Sequence, residues 1–444
     1  MSLIAVRFPP QIKYIIGNEA AERFSYYGMA SILFVYLSGS QYLAYSEADS
    51  EAIYHVFVAG VYLSTLVGAV LSDRYLGKYL TIISLSLVCV AGHATLAGWD
   101  HGLIFFVGLG LVAFGAGGFK PCVAAHVGDQ FTSANKQLID KVFGVFYMSI
   151  NIGALAGTLL IPKLLSDYGP AVGFGVPGVL MALAALVFWL GRRKYVSVPP
   201  IGRGKVGTGR VLFVIIAAGA DVARSQFGTK AVREAQAVGR AALVLIPAIG
   251  FWALFLQTGS SWVALTKQMD LHGFLSAAQL QFLNPALIMI FVPLFGHVVY
   301  PALQRRGRDV SPLARMRVGM FLTALSFVPV AGIQALADSG VVISAFFIVV
   351  PYIILTAAEI LVSVTALEFA YTQAPRSAKS TLMSIWYLTI GIGSLLKAVV
   401  AKLNVFDGPW EFVFWAALMA TVAAGFAVIT RNYEPVEYVE PAPG

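Results

Sequence analysis

The run NEAAERFSYYG, Asn18 to Gly28, lies inside an apolar stretch, 11–38, that is long enough to cross a bilayer. At helical spacing Glu19 falls one turn below Arg23, Glu22 one turn below Tyr26, and Arg23 one turn below Tyr27. Charges and rings therefore crowd adjoining parts of one helix face. A charge at mid-membrane costs roughly 2.5 to 3.5 kcal/mol on insertion scales, so Glu19, Glu22 and Arg23 together cost on the order of 8 to 10 kcal/mol before pairing offsets any of it. A chain does not carry that load for packing.

Of the 444 residues, 58% are hydrophobic and 12% charged, and the mean hydropathy is +0.79. The charged share is about half that of a soluble globular chain. About twelve apolar segments follow one another, near 11–38, 52–72, 78–98, 102–127, 142–161, 171–190, 241–262, 278–303, 313–336, 341–371, 378–401 and 409–430. The expected class is an all-α membrane protein with twelve transmembrane helices.

With both termini inside, only Lys163, Lys267 and Lys402 fall on the outer side and only Arg23, Lys120 and Lys397 within the membrane; every other Lys and Arg lies inside. Shifting the count by one helix destroys this asymmetry. Topology therefore accounts for the net charge of +8, which implies no nucleic-acid partner. Cys89 and Cys122 both fall in apolar segments and offer neither a disulfide framework nor a metal site, and no cofactor is expected. The first segment carries Glu and Arg at its middle and lacks a small-residue cleavage site, so it is not read as a signal peptide.

The longest interruption, 191–240, holds Arg192, Arg193, Lys194, Arg203, Lys205, Arg210, Arg224, Lys230, Arg233 and Arg240 against only Asp221 and Glu234. It divides the chain into bundles at 1–190 and 241–444, joined by a cytoplasmic basic linker. Within it Val211 to Ala220 is apolar but too short to span, and reads as an amphipathic helix on the membrane surface. Two six-helix halves with a basic joint suit two pseudo-symmetric bundles. The loop GAVLSDRYLGK, Gly68 to Lys78, resembles through Asp73-Arg74 and Gly77-Lys78 the loop signature of the major facilitator superfamily.

Five further matches in chain order sharpen this. Glu19-x-x-Glu22-Arg23-Phe24-x-Tyr26-Tyr27 resembles the first-helix motif of the proton-dependent oligopeptide transporter family. Gly117-Gly118-Phe119-Lys120-Pro121-Cys122, running on to Gly128-Asp129-Gln130-Phe131, resembles its fourth-helix lysine and the loop after it. Phe143 to Leu155 (FGVFYMSINIGAL), built around Asn151-x-Gly153, resembles its fifth-helix signature. Phe251-Trp252-Ala253 matches helix seven, and Glu368-Phe369-x-Tyr371-x-x-Ala374-Pro375 the end of helix ten.

The resemblance implies the major facilitator fold and proton-coupled uptake of di- and tripeptides across the plasma membrane, by alternating access of the two bundles in a lipid bilayer, as a monomer. It assigns the peptide carboxylate to Arg23, whose fork pairs it through two hydrogen bonds, and to the point charge of Lys120. The amine falls to Glu368; Glu359, nine residues earlier, lies about half a turn round a regular helix from it. Proton coupling falls to Glu19, Glu22 and Arg23. Burial disfavours an ionised carboxyl while a neighbouring Arg favours it, so competition for Arg23 is a natural switch. His55, seven residues from Tyr62, stands where animal-type members bind a proton, and Lys120 joins the same set. Tyr26, Tyr27, Tyr62, Tyr147 and Trp252 line the pocket by resemblance, with Asn151, Asn284 and Trp386 beside them. His93 and His297 read as structural.

One residue departs from the family pattern. Many members carry an acid four residues after the helix-seven tryptophan, pairing with the helix-four lysine, and here that place is Leu256. A relative that carries nitrate or another small anion, and a membrane sensor that transports nothing, are the alternatives to peptide uptake. An embedded enzyme is disfavoured, since no HExxH, GxSxG, CxxCH or Walker A motif is present.

Overall fold

The computed structural model describes residues 8–131, 135, 138–200, 208–273, 275–373 and 379–433. Helix α1, Ile12–Ser38, carries the charged run at its middle. Helix α2, Glu47–Val70, starts at Ser46, whose hydroxyl accepts from the Asp49 amide at 3.1 Å, with Glu47 and Asp49 in the first turn. A π-helical turn, Leu71–Leu76, joins it to α3, Gly77–Gly98. Helices α4, Gly102–Asp129, α5, Ile139–Tyr168, and α6, Pro170–Leu190, follow.

Beyond the linker come α7, Thr208–Ala218, α8, Ala220–Leu245, α9, Ala248–Phe255, and α10, Ser261–Lys267. Then follow α11, Leu283–Leu294, α12, Tyr300–Arg305, α13, Pro312–Asp338, α14, Val349–Glu359, α15, Thr365–Gln373, α16, Lys379–Leu403, and α17, Pro409–Ile429. Short 3-10 or π turns join α9 to α10, α11 to α12 and α14 to α15, so each of these pairs makes one span. No strand occurs among the described residues.

Among the described residues, 10 helical runs are long and apolar enough to cross a membrane. One of them, Glu47–Gly98, has 52 residues and is α2 and α3 in series, and α1 stands outside the set because its acids and Arg23 lower its hydropathy. Twelve spans result, and the chain is an all-helical, multi-pass membrane protein, as its composition requires. The seventh span begins later than the apolar run at 241 suggests, at Ala248. Pro247, which has no amide hydrogen to donate, separates it from α8.

The chain groups into two compact units, Met1–Arg203 with Thr258–Met289, and Gly204–Gln257 with Ile290–Gly444. In the first, helices meet where glycines stand. A Cβ on Gly117 of α4 would lie 1.8 Å from the Val61 carbonyl oxygen of α2, and one on Gly153 of α5 would lie 2.3 Å from the Ala20 carbonyl oxygen of α1. Small residues let backbones touch, which drives helix association where lipid tails are as apolar as leucine. Thr258–Met289 is tied to this unit through Lys267 Nζ to Ser38 Oγ, 2.8 Å, and Gln281 Nε2 to the Ser31 carbonyl, 3.1 Å.

In the second unit, the expected short helix of the linker is α7, and it does not stand alone. Val211 joins Ala223, Val232 and Ala235 of α8 in one buried cluster. Helix α8 is bent at Gly228, φ 81 and ψ 161, a conformation that only glycine adopts without strain. Residues 201–207 of the linker, with Arg203 and Lys205, and the Ala374-Pro375 end of the helix-ten motif lie outside the described residues.

Lys397 of α16, fully buried, pairs with Glu411 at the start of α17 and lies 5.9 Å from the Trp415 ring centre. Removing one partner of a buried pair strands the other charge. Because Glu411 keeps 21% exposure, Lys397→Ala is expected to destabilise by about 2 kcal/mol, below the 3 to 5 kcal/mol of a fully buried pair. The double variant Lys397→Met/Glu411→Leu is expected to recover most of this in thermal unfolding.

Candidate functional site

In the first unit, one turn of α1 aims its charged face at α4. Arg23 Nε donates to Glu19 Oε1 at 2.7 Å and lies 3.0 Å from Glu22 Oε2. Its single hydrogen goes to Glu19, so the Glu22 contact is Coulombic rather than a hydrogen bond. Lys120 Nζ donates to Glu22 Oε1 at 3.3 Å and sits 4.1 Å over the Tyr26 ring centre. Side-chain exposures of 1% for both glutamates, 4% for Lys120 and 12% for Arg23 leave little water to screen these charges. Two carboxyl groups thus face two basic groups, and their formal charges balance. Tyr27 meets Tyr26 edge to face at 5.1 Å.

Local sequence explains the placement. Gly153 lets α5 touch α1 beside Arg23, and Gly117 lets α4 touch α2 one turn before Lys120. Behind the charged face, His93 of α3 shares a hydrogen bond with Ser25 at 3.1 Å and is fully buried, which suits the structural reading. Asn18 is fully buried, and neither of its amide atoms has a partner among the described residues. A buried group of that kind is a site for ordered water.

The other expected residues of the first unit come from α2, α5 and α11. His55 is fully buried, hydrogen-bonded to Ser260 at 2.9 Å and edge to face with Tyr54 at 5.2 Å. Asn151 donates through Nδ2 to the Tyr147 carbonyl at 2.9 Å. Tyr147, Tyr62 and Asn284 are each partly buried.

In the second unit, Trp252 and Trp386 meet at 5.7 Å between ring centres, interplanar 63°, and both are buried. Gly393 permits this, since a Cβ there would lie 2.6 Å from the Ile249 carbonyl oxygen. Glu368 is 48% exposed, and both its oxygens accept from Arg315, at 3.2 and 3.4 Å. An amine reaching Glu368 meets that guanidinium as a competitor for its oxygens. Glu359 is partly buried at the end of α14, and the π-helical turn Ile360–Val364 separates it from Glu368. A π-turn absorbs about one extra residue, so the half-turn offset of a regular helix shrinks by about 100°.

Ser260 and Arg315 carried no signal in the sequence. Ser260 lies in an ordinary polar turn 205 residues from its partner, and Arg315 read as one more basic residue at an inner loop.

Residues 79–231 and 211–407 match the POT family. Peptide transporter family 1 of Drosophila melanogaster is 37% identical over 359 residues, 74% of this chain and 48% of that protein. Human solute carrier family 15 member 2 is 37% identical over 359 residues, 74% of this chain and 49% of that protein. The chain thus spans about half the length of the curated relatives it matches. A crystal structure described as an auto-inhibited POT family peptide transporter superposes with TM-score 0.89 at 36% identity, covering 98% of this chain and 99% of that one. Family match, relatives and backbone agree over most of the length, and the chain belongs to the POT family.

Proposed function

We propose that the chain takes up di- and tripeptides together with protons across the plasma membrane. The observation that carries this reading is the cluster of Glu19, Glu22 and Arg23 on α1 with Lys120 on α4, balanced in formal charge and buried in membrane-spanning helices where such charges are costly. Membership of the family and the names of the relatives, which are peptide transporters, support it. A peptide carboxylate arriving at Arg23 adds a third anion to a balanced set, and a proton on the displaced glutamate restores neutrality. Release of the peptide returns Arg23 to Glu19 and lets the proton go. His55, held by Ser260, adds a second exchangeable group.

Tyr26, Tyr27, Tyr62, Tyr147, Trp252 and Trp386 present rings and hydroxyls to varied side chains, and Asn151 and Asn284 present amides to the peptide backbone. Glu368 serves the peptide amine when Arg315 releases it. The basic loops support a cytoplasmic side for both termini. The division of labour is between bundles 1–190 and 241–444, and the transporter acts as a monomer in the lipid bilayer.

Purified protein in liposomes is expected to accumulate labelled dialanine only when an inward proton gradient and potential are imposed, with excess unlabelled tripeptide blocking uptake. Absence of both gradient-driven uptake and counterflow would overturn the proposal.

A further inference from the structure

At the end of the first unit formed by the starts of α1 and α3 and the ends of α4 and α6, a cavity of about 120 Å³ is lined by Lys78, Tyr79, His126, Arg192, Tyr195 and Ser197. A water occupies about 30 Å³ in the liquid, so the space suits a tetrahedral oxyanion or a few waters. Its lining contains two cations, three hydroxyls, an imidazole and the apolar Val198, and no carboxylate. Lysine and arginine only donate hydrogen bonds. Such a wall selects an acceptor-rich anion.

Neighbouring contacts hold the wall in place. Lys78 Nζ gives one hydrogen to Asp129 at 2.6 Å, outside the lining, and has three to give. The Arg192 guanidinium lies 3.5 Å over the Trp189 ring centre, and its NH1 donates to the Trp189 carbonyl at 3.1 Å. That fixes the fork and leaves donors over. Gln130, 2% exposed, clamps the start of the linker across the opening, accepting from the Val196 amide at 2.9 Å and donating to its carbonyl at 3.2 Å. The Gly77-Lys78 and Asp129-Gln130 pairs of the sequence motifs are thus the frame of this cavity.

A second observation points the same way. His126 is 1% exposed, edge to face with Tyr195 at 4.9 Å and with Phe188 at 5.7 Å, and its Nε2 has no partner among the described residues. An unpaired buried nitrogen beside a polar cavity marks a place for a missing polar atom. Trp189 lies in the last turn of a membrane-spanning helix and Arg192 just past its end, the depth at which aromatic rings and phosphate groups meet.

We propose that this cavity binds one phosphate group, that of a phospholipid headgroup or of a free phosphate, through Arg192, Lys78 and the hydroxyls of Tyr79 and Ser197. The Tyr195 hydroxyl gives its hydrogen to the Phe188 carbonyl at 2.9 Å. The site is separate from the Arg23 cluster and does not depend on what the chain transports. Arg192→Gln and Arg193→Gln remove the same charge from neighbouring positions, and Arg193 is outside the lining.

Purified protein in uncharged detergent is titrated with inorganic phosphate at constant ionic strength, with thermal unfolding as the readout. In parallel, protein from phosphatidylglycerol bilayers is weighed by native mass spectrometry. Arg192→Gln is expected to weaken the saturable effect about tenfold or more, the loss of one charge-assisted fork, and Arg193→Gln to leave it unchanged. Retention of phosphatidylglycerol without a phosphate effect identifies a lipid headgroup as the source, and the reverse identifies free phosphate; each supports the site. Equal behaviour of the two arginine variants, or no saturable effect of either probe on the unmodified protein, overturns it. If Arg192→Gln does not survive purification, Tyr79→Phe is read in its place, since it removes one hydroxyl and keeps the ring stacked on Phe188 at 5.6 Å.

Discussion

Glu22→Gln is expected to abolish proton-driven accumulation of dialanine while sparing counterflow of the same peptide. In the unmodified cluster Glu22 is the shared partner, 3.0 Å from Arg23 Nε through one oxygen and 3.3 Å from Lys120 Nζ through the other. Neutralising it leaves Glu19 facing two cations. The incoming peptide carboxylate then supplies the missing negative charge by itself, and no proton has to accompany it. Exchange of peptide for peptide needs only a competent site and survives, within about threefold by the modest change in hydrogen bonding.

One proton moving down 100 mV supplies about 2.3 kcal/mol, enough for roughly fortyfold accumulation, so the variant is expected to fall to equal concentrations on the two sides. Gradient-driven accumulation by a folded Glu22→Gln protein would falsify the coupling role. Loss of counterflow as well, in protein that keeps its unfolding temperature, would count equally against it, because the residue would then be needed for binding itself.

Much of this arrangement is visible in the order of residues, for a physical reason. Charges inside an apolar segment are too costly to be accidental, and helical spacing fixes which of them meet, so the pairing of Glu19 and Arg23 follows from four positions of separation. Most of the spans follow from length and hydropathy; α1 is recognised in spite of its charges, and α2 and α3 only by the loop motif between them. What spacing does not show is any contact between distant segments. Lys120 meets Glu22 across 98 residues, and nothing local to either says so. The partner of His55 is a serine in a turn.

Irregular backbone was equally hidden. The angle between Glu359 and Glu368 depends on a π-turn, Ile360–Val364, whose residues ILVSV look like any apolar helix. Helix α8 carries no apolar run that would announce it, and its buried Ala223, Val232 and Ala235 pack with Val211 of α7. The segment read as a single surface helix is therefore one arm of a helical pair.

The Gly117→Ala substitution is expected to lower the melting temperature by roughly 2 to 4 °C and to abolish uptake. A methyl group at Gly117 would stand 1.8 Å from the Val61 carbonyl oxygen and 2.1 Å from Ser64 Oγ. Both atoms belong to α2, and the first is backbone, so no side-chain rotation relieves the clash. Carbon and oxygen require well over 3 Å, close to the roughly 3.5 Å of ordinary non-bonded contact, and α2 and α4 must part by more than an ångström. Parting them loosens the Ser64 hydroxyl's bond to the Ala113 carbonyl, 3.0 Å, and the packing of Gly68 on Gly118.

Such overpacking costs about 1 to 3 kcal/mol before the lost bond is added. Lys120 is three residues further along α4, so the same displacement carries its ammonium away from Glu22 and Tyr26, and function is lost with stability. Gly110→Ala supplies the comparison. It adds an identical methyl to the same helix at a position with nothing within 4 Å, and replacing glycine inside a helix gains roughly 0.5 to 1 kcal/mol. Equal melting temperatures and equal uptake for the two variants would mean that α2 and α4 separate without penalty. The placement of Lys120 would then owe nothing to the glycine contact.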